Sequence, residues 1–249
     1  MRDRLCSKNP PYIWGVLQGA ALGKVLGYKR ISVLEFGVAG GAGLLALEHI
    51  ASHCEKMVDI EIEVYGFDGG VGLPKPHDYR DHPNTWSEGY YPCEMEQLTR
   101  RLQRASLKLG PVKETVTAFT YESPPPIAFV SFDLDFYSST RDALSLFDAK
   151  HELLLPRVAC YFDDILGNTF SDYTGERLAI SEFNSARPMS KISPIYGLKY
   201  FVPREHHWYW PEMFYFLHLF YHPLYNSPDS LRKPAIIDID GNESLRPTV

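Results

Sequence analysis

Two apolar runs, each closed by acids, constrain this 249-residue chain more than any other feature. Residues 127–132 run into Asp133 and Asp135, and residues 158–162 run into Asp163 and Asp164. Between them lies a segment with helical spacing, opened by Ser138, Ser139 and Thr140. Strand, helix, strand is a βαβ unit, whose strands are parallel and end on the same edge of a sheet. In open α/β sheets that carboxyl edge is where ligands bind. Four carboxylates crowded there are costly unless a cation or a hydrogen-bonding ligand sits among them.

The chain on either side of this unit alternates in the same way. Residues 31–36 form a short apolar run, interrupted by Gly37-Val38-Ala39-Gly40-Gly41-Ala42-Gly43, after which residues 44–57 read as a helix. Residues 60–67 alternate and close on Asp68, a second strand. Residues 69–92, rich in Gly, Pro, Asp and His, form a long loop of the kind that serves as a lid or binding loop or is disordered. A helix over 93–106, a short strand at 107–109, a helix around 175–186, a strand near 198–202 and an aromatic strand at 213–220 complete the reading. Asn9-Pro10-Pro11 marks a helix start, so residues 9–29 are an N-terminal helical addition whose glycines weaken the pattern. The expected fold is therefore α/β, a Rossmann-like three-layer sandwich. Its sheet is mostly parallel with helices on both faces, and its last strand is antiparallel. Residues 1–225 form one domain and 226–249 a loose tail.

Several function classes fall away. Net charge is −6, from 31 acids and 25 bases with no long basic run, so no nucleic-acid partner is expected. The four cysteines show no CxxC spacing, which disfavours a disulfide framework or thiolate zinc site and points to a reducing compartment. Cys160, inside an apolar run, reads as a small buried hydrophobe. No apolar leader and no stretch of about 18 apolar residues occurs, so a cytoplasmic protein with no membrane partner is expected.

The glycine turn can be a tight connection or a place where backbone passes close to a ligand. Glu35, within the strand end, calls for a group that donates hydrogen bonds to it. Asp68, ending the next strand, is placed to accept ribose hydroxyls of a nucleoside. Glycines at 37, 40, 41 and 43 do not match the G-x-G-x-x-G of dinucleotide sites, and no P-loop is present.

Glu35-Phe36-Gly37-Val38-Ala39-Gly40-Gly41 resembles the first motif of class I S-adenosylmethionine (SAM)-dependent methyltransferases. Val64-Tyr65-Gly66-Phe67-Asp68 with Gly72-Leu73-Pro74, then Phe132-Asp133-Leu134-Asp135-Phe136-Tyr137-Ser138-Ser139-Thr140, then Phe162-Asp163-Asp164 are similar, in order, to blocks of the macrocin O-methyltransferase-like group. The resemblance covers roughly residues 30 to 187, with Leu134 and Ile165 departing from the group's glycine and tyrosine.

The resemblance implies a SAM site formed by Glu35, Gly37, Val38, Ala39, Gly41, Gly43, Asp68 and Asp133, with Glu35 and the turn at the amino-acid end and Asp68 at the ribose. It further implies magnesium on Asp133, Asp163 and Asp164, and methyl transfer to a hydroxyl of a small-molecule acceptor, a sugar or other natural product. Bland alternatives stand beside these. Asp135 can cap the helix near Ser138 or face solvent, Asp164 can cap a turn, and Asp133 and Asp163 can bind SAM or substrate without metal. A non-catalytic SAM- or nucleotide-binding protein and an NAD-dependent oxidoreductase are the rival readings. No general base is assigned, since His77, His82, His206, His207, His218 and His222 all lie where solvated or packed histidines are common. The aromatic stretch 196–225 supplies either the last strands of the sheet or, through 206–210, an acceptor-pocket wall or the dimer contact of a homo-oligomer.

Overall fold

The computed structural model describes residues 9–92, 94–167, 169–202 and 209–227, and the backbone of two short strands at 235–237 and 243–245. At its centre β4 (Ile127–Phe132) is buried at every position, and β5 (Leu154–Phe162) at all but Arg157. Strands without a polar face must be covered on both sides, which is the position of a central parallel strand in an α/β layer structure. Around them lie β1 (Arg30–Phe36), β2 (Glu61–Asp68), β3 (Ser106–Leu109), β6 (Ser190–Pro194) and β7 (Phe214–Leu219). The sheet order is β3-β2-β1-β4-β5-β7-β6. The first five strands are parallel, and β7 runs antiparallel to both β5 and β6. This is the expected Rossmann-like arrangement with its antiparallel final strand.

Helices flank the sheet in two groups. α1 (Pro10–Val25) lies on β1, β4 and β5 beside α2 (Ala42–Val58). α4 (Val112–Tyr121), α5 (Tyr137–Leu144) and α6 (Gly175–Ala186) pack in succession, and the short α3 (Met95–Arg101) precedes β3. The glycines that weaken the apolar pattern of α1 turn out to be its contact face. Gly15, Gly19 and Gly23, one turn apart, are buried against the sheet. A Cβ on Gly19 would stand 2.8 Å from the Ala128 Cβ and 2.9 Å from its carbonyl oxygen, and one on Gly15 would overlap the Phe129 ring.

Beneath the carboxyl edge four phenylalanines pack ring to ring across four strands. Centroid distances are 4.6 Å for Phe67–Phe36, 5.5 Å for Phe36–Phe132 and 4.7 Å for Phe132–Phe162, with the rings stacked at each step. They are register partners, so the residues that follow them, Asp68, Gly37, Asp133 and Asp163, emerge at one level. The ladder is an apolar floor to the edge where ligands bind.

Three elements differ from the sequence reading. The helix expected over 93–106 ends at Arg101, because the amides of Gln103, Arg104 and Ala105 donate to the buried carboxylate of Glu48 instead of continuing the helix. Helix α4 was not anticipated, since half its residues are β-branched; burial of Val116 and Phe119 holds it. The strand expected at 198–202 is a 3-10 turn, Leu198–Tyr200, opened by Gly197 at φ +79°. The strand lies earlier, at β6, an edge strand whose Ser-Lys-Ile-Ser-Pro carries no apolar run. Within the stretch expected as a loose tail, β8 (Ala235–Ile237) pairs antiparallel with β9 (Glu243–Leu245).

If the glycine stripe sets the distance between α1 and the sheet, Gly19→Ala is expected to destabilise the protein by about 1–3 kcal/mol through overpacking, despite alanine's better helix propensity. Urea denaturation of the two proteins measures this, and a neutral or stabilising change would contradict it.

Candidate functional site

Each strand end contributes one polar feature above the phenylalanine floor. After Phe36 the chain turns at Gly37 (φ +83°), where a Cβ would overlap the Asp133 carbonyl oxygen. Only glycine allows both that backbone and that approach. The turn closes at Gly41 (φ +81°), which precedes the first residue of α2. Asp68 braces it from the neighbouring strand: its Oδ2 accepts from the Val38 and Ala39 amides at 2.9 and 3.0 Å, and its Oδ1 from Gly70 at 2.6 Å. Asp68 lines neither cavity described below. Its carboxylate, the one the resemblance places at the ribose, is held by these turn amides.

Glu35 is buried, 2% exposed, at the end of β1. Its Oε1 accepts from the Tyr12 hydroxyl at 2.5 Å, and Ser131 Oγ donates to the same hydroxyl at 3.1 Å. Its Oε2 is buried with no hydrogen-bond partner among the described residues. Burial, reinforced by the charge of Asp68 and opposed by the Tyr12 bond, pushes its carboxyl up to about 8. Gly43 leaves room for it, since a Cβ there would overlap Oε1. A buried carboxyl with an open acceptor beside a backbone turn fits a cationic or donating ligand group. Tyr12, reached from the N-terminal helix 23 residues away in sequence, has no local signal that would have marked it.

At the ends of β4 and β5 the structure brings together Asp133, Asp135 and Asp164, whose nearest carboxylate oxygens all lie within 4.8 Å of one another. Asp163, expected in this set, borders it: its Oδ1 accepts from the Tyr161 hydroxyl at 2.7 Å and it lines both cavities, while the third acid of the close group is Asp135. Asp135 does not cap the following helix. It sits at φ +60°, and its amide donates to Asp164 Oδ2 at 2.9 Å. Burial raises the carboxyls of Asp133, Asp135 and Asp164, and the neighbouring acids raise them further. Convergent hard oxygens that resist ionising together are the donor set a divalent cation satisfies.

Two further acids complete the edge, and neither was singled out in the sequence. Asp81, 1% exposed in a 3-10 turn within the loop 69–92, provides the cap expected of Asp135. Its carboxylate accepts from Ser138 N at 2.8 Å, Ser138 Oγ at 3.0 Å and His77 N at 2.9 Å. Beside it the Arg80 guanidinium lies 4.6 Å from the centre of the Tyr137 ring. The loop is therefore tied across the site, with Leu73, His77, Trp86 and Tyr91 forming its inner wall. Glu176, 1% exposed in the first turn of α6, accepts from Asp164 N at 3.0 Å through Oε2. Burial and the acids facing it hold its carboxyl well above the usual range.

These groups line two cavities. One, of about 720 Å³, holds Glu35, the 37–43 turn, Tyr12, Tyr161, Tyr209 and Trp210; the other, of about 680 Å³, holds the loop wall and the three-acid group. They share Gly37, Ala39, Asp133 and Asp163. Of the histidines considered, His77 lines the second cavity, His82 packs on Phe170 and His218 meets the Tyr225 hydroxyl at 2.9 Å. His206, His207 and Trp208 lie outside the described residues. The rest of the aromatic stretch divides: Phe214, Leu217 and Leu219 are core, while Tyr209 and Trp210 form cavity wall.

A carboxyl raised on folding binds its proton more tightly in the native state, so its contribution to stability is complete below the unfolded value near 4.5 and lost as pH rises through about 8. The ligand-free protein is therefore expected to lose stability across that window relative to Glu35→Gln, by about 4 kcal/mol at most. Denaturation of both proteins from pH 4.5 to 9 gives the difference; parallel curves would contradict the assignment.

No family model and no curated protein matches the chain, and no helix of the described residues is long and apolar enough to cross a membrane. Solved structures do match. CalS11, a calicheamicin methyltransferase, is 22% identical, with 73% of this chain and 74% of that one covered, at a TM-score of 0.52. The O-methyltransferase NovP is 15% identical over 73% and 74% of the two chains, at a TM-score of 0.54. At these identities the likeness is one of fold: the chain shares the sheet and helix arrangement of these methyltransferases.

Proposed function

We propose that the chain is a SAM-dependent O-methyltransferase that acts on a hydroxyl of a small metabolite, a sugar or other natural product, with a divalent cation at the acidic edge. The observation that carries this reading is the junction of two cavities at Gly37, Ala39, Asp133 and Asp163. One side offers a glycine turn and an open carboxylate oxygen, and the other offers converging acids. Motif order in the sequence and the shared fold support the same assignment, and the acceptor class rests on the motif resemblance.

In this reading Glu35 Oε2 accepts from the amino group of the bound nucleoside amino acid, and the 37–43 backbone lies along it. Tyr12 and Ser131 hold Glu35 in place from the far side. Asp133, Asp135 and Asp164 hold the cation, with Asp163 bordering them. When bound, SAM supplies an electrophilic methyl group and the cation lowers the pKa of the acceptor hydroxyl and orients its oxygen. Asp81 keeps the loop across the second cavity, so that Trp86 and Tyr91 exclude water from the acceptor side.

Isothermal titration tests the nucleoside half. SAM and S-adenosylhomocysteine are expected to bind and NAD not to. At pH 7 SAM binding is expected to release a proton from Glu35, so the heat varies with the ionisation enthalpy of the buffer, and Glu35→Gln removes that dependence. No heat from either sulfur nucleoside would overturn the reading. For the cation, methylation of a hydroxylated acceptor is expected to stop in chelator and return with magnesium. Activity that persists in chelator and in Asp164→Asn would refute that half alone.

A further inference from the structure

Glu176 poses a problem that packing does not solve. It is a fully buried acid facing other acids, where an apolar residue of the same volume would be preferred on burial grounds alone. What it does make is one directed bond: Oε2 accepts the Asp164 amide at 3.0 Å. Its Oε1 is buried, with no hydrogen-bond partner among the described residues. Asp164 in turn accepts the Asp135 amide on its own Oδ2 at 2.9 Å. The three residues come from three elements: the start of α6, the turn after β5 and the turn after β4.

Each turn carries one such bond. Asp135 sits in the left-handed region at φ +60°, and Asp164 in a bridge conformation at φ −100°, ψ 22°. The far side of the Asp163–Ile165 turn is already clamped, since Arg177 Nε donates to the Ile165 carbonyl at 2.8 Å. The near side, which aims Asp164 at Asp133 and Asp135, has Glu176.

We propose that Glu176 is a positioning residue for the acidic edge: it fixes the Asp164 peptide so that the Asp164 carboxylate holds Asp135, and thereby sets the placement of the three acids relative to one another. Its function is that of an acceptor, not of a charge. The consequence for cation binding rests on the function proposed above; the positional role does not.

The test uses two substitutions in the whole chain. Glu176→Met keeps volume and removes the acceptor, while Glu176→Gln keeps an acceptor oxygen and removes the charge. Amide hydrogen exchange at Asp164 and Asp135, followed by NMR, reads the bonds directly. In the methionine variant both amides are expected to exchange at least about tenfold faster, and Mn2+ affinity to fall about tenfold, the loss expected for one buried hydrogen bond. SAM affinity is expected to stay unchanged. In the glutamine variant all three quantities are expected to match the parent. Unchanged exchange in Glu176→Met, or a Gln variant as impaired as the Met variant, would overturn the proposal. If the methionine variant does not fold, the glutamine variant decides, since loss of protection or affinity there contradicts an acceptor role. A parent protein that binds no Mn2+ would sink the cation reading, and exchange would still decide the role of Glu176.

Discussion

The parallel register of four strands, locked by stacked phenylalanines, is the constraint on which the site depends. Phe67, Phe36, Phe132 and Phe162 are each the last core residue of their strand, and each stacks on its register partner. A one-residue slip in any of them would move its side chains to the opposite face and displace the residue that follows. Because the register holds, Asp68, the Gly37 turn, Asp133 and Asp163 leave the sheet at the same height. The floor is dry and the rim polar, so charge interactions at the rim are stronger than in water.

That placement has a cost, and much of the surrounding structure manages it. Burial disfavours the ionised forms of Asp133 and Asp164, and the neighbouring acids add to the penalty. Asp68 is satisfied by three amides of the glycine turn and the loop beyond it. Asp81 is satisfied by Ser138 and His77, and ties the loop 69–92 to α5. Asp163 has Tyr161. Among the described residues, the buried carboxylate oxygens left without a donor are Glu35 Oε2, at the first cavity, and Glu176 Oε1, behind the three-acid group.

Much of this was legible from residue order alone. The strand-acid-helix-strand-acid pattern of 127–167 placed the edge, and the glycine turn and motif order raised the expectation of a nucleoside beside it. Phe-Asp recurring at 67–68, 132–133 and 162–163 was a further readable signal of strand ends in register. The illegible part depended on contacts between distant segments. Nothing near Asp81 says that it caps a helix 57 residues away, and nothing near Tyr12 points to Glu35. Asp135 rather than Asp163 joins Asp133 and Asp164 because its left-handed backbone, held by the Asp164 bond, turns it inward. Edge strand β6 escaped because it is not apolar, and α1 looked weak because its buried face is glycine.

The proposed cation site on the converging acids, beside the proposed nucleoside cavity, can be examined crystallographically. Anomalous diffraction from crystals grown with Mn2+ and S-adenosylhomocysteine tests it most directly. A single strong anomalous peak is expected at ligating distance, about 2.0–2.2 Å, from carboxylate oxygens of Asp133, Asp135 and Asp164. The nucleoside's amino group should lie against Glu35. An ordered acidic edge with no anomalous peak, in crystals where the nucleoside is bound, would contradict it.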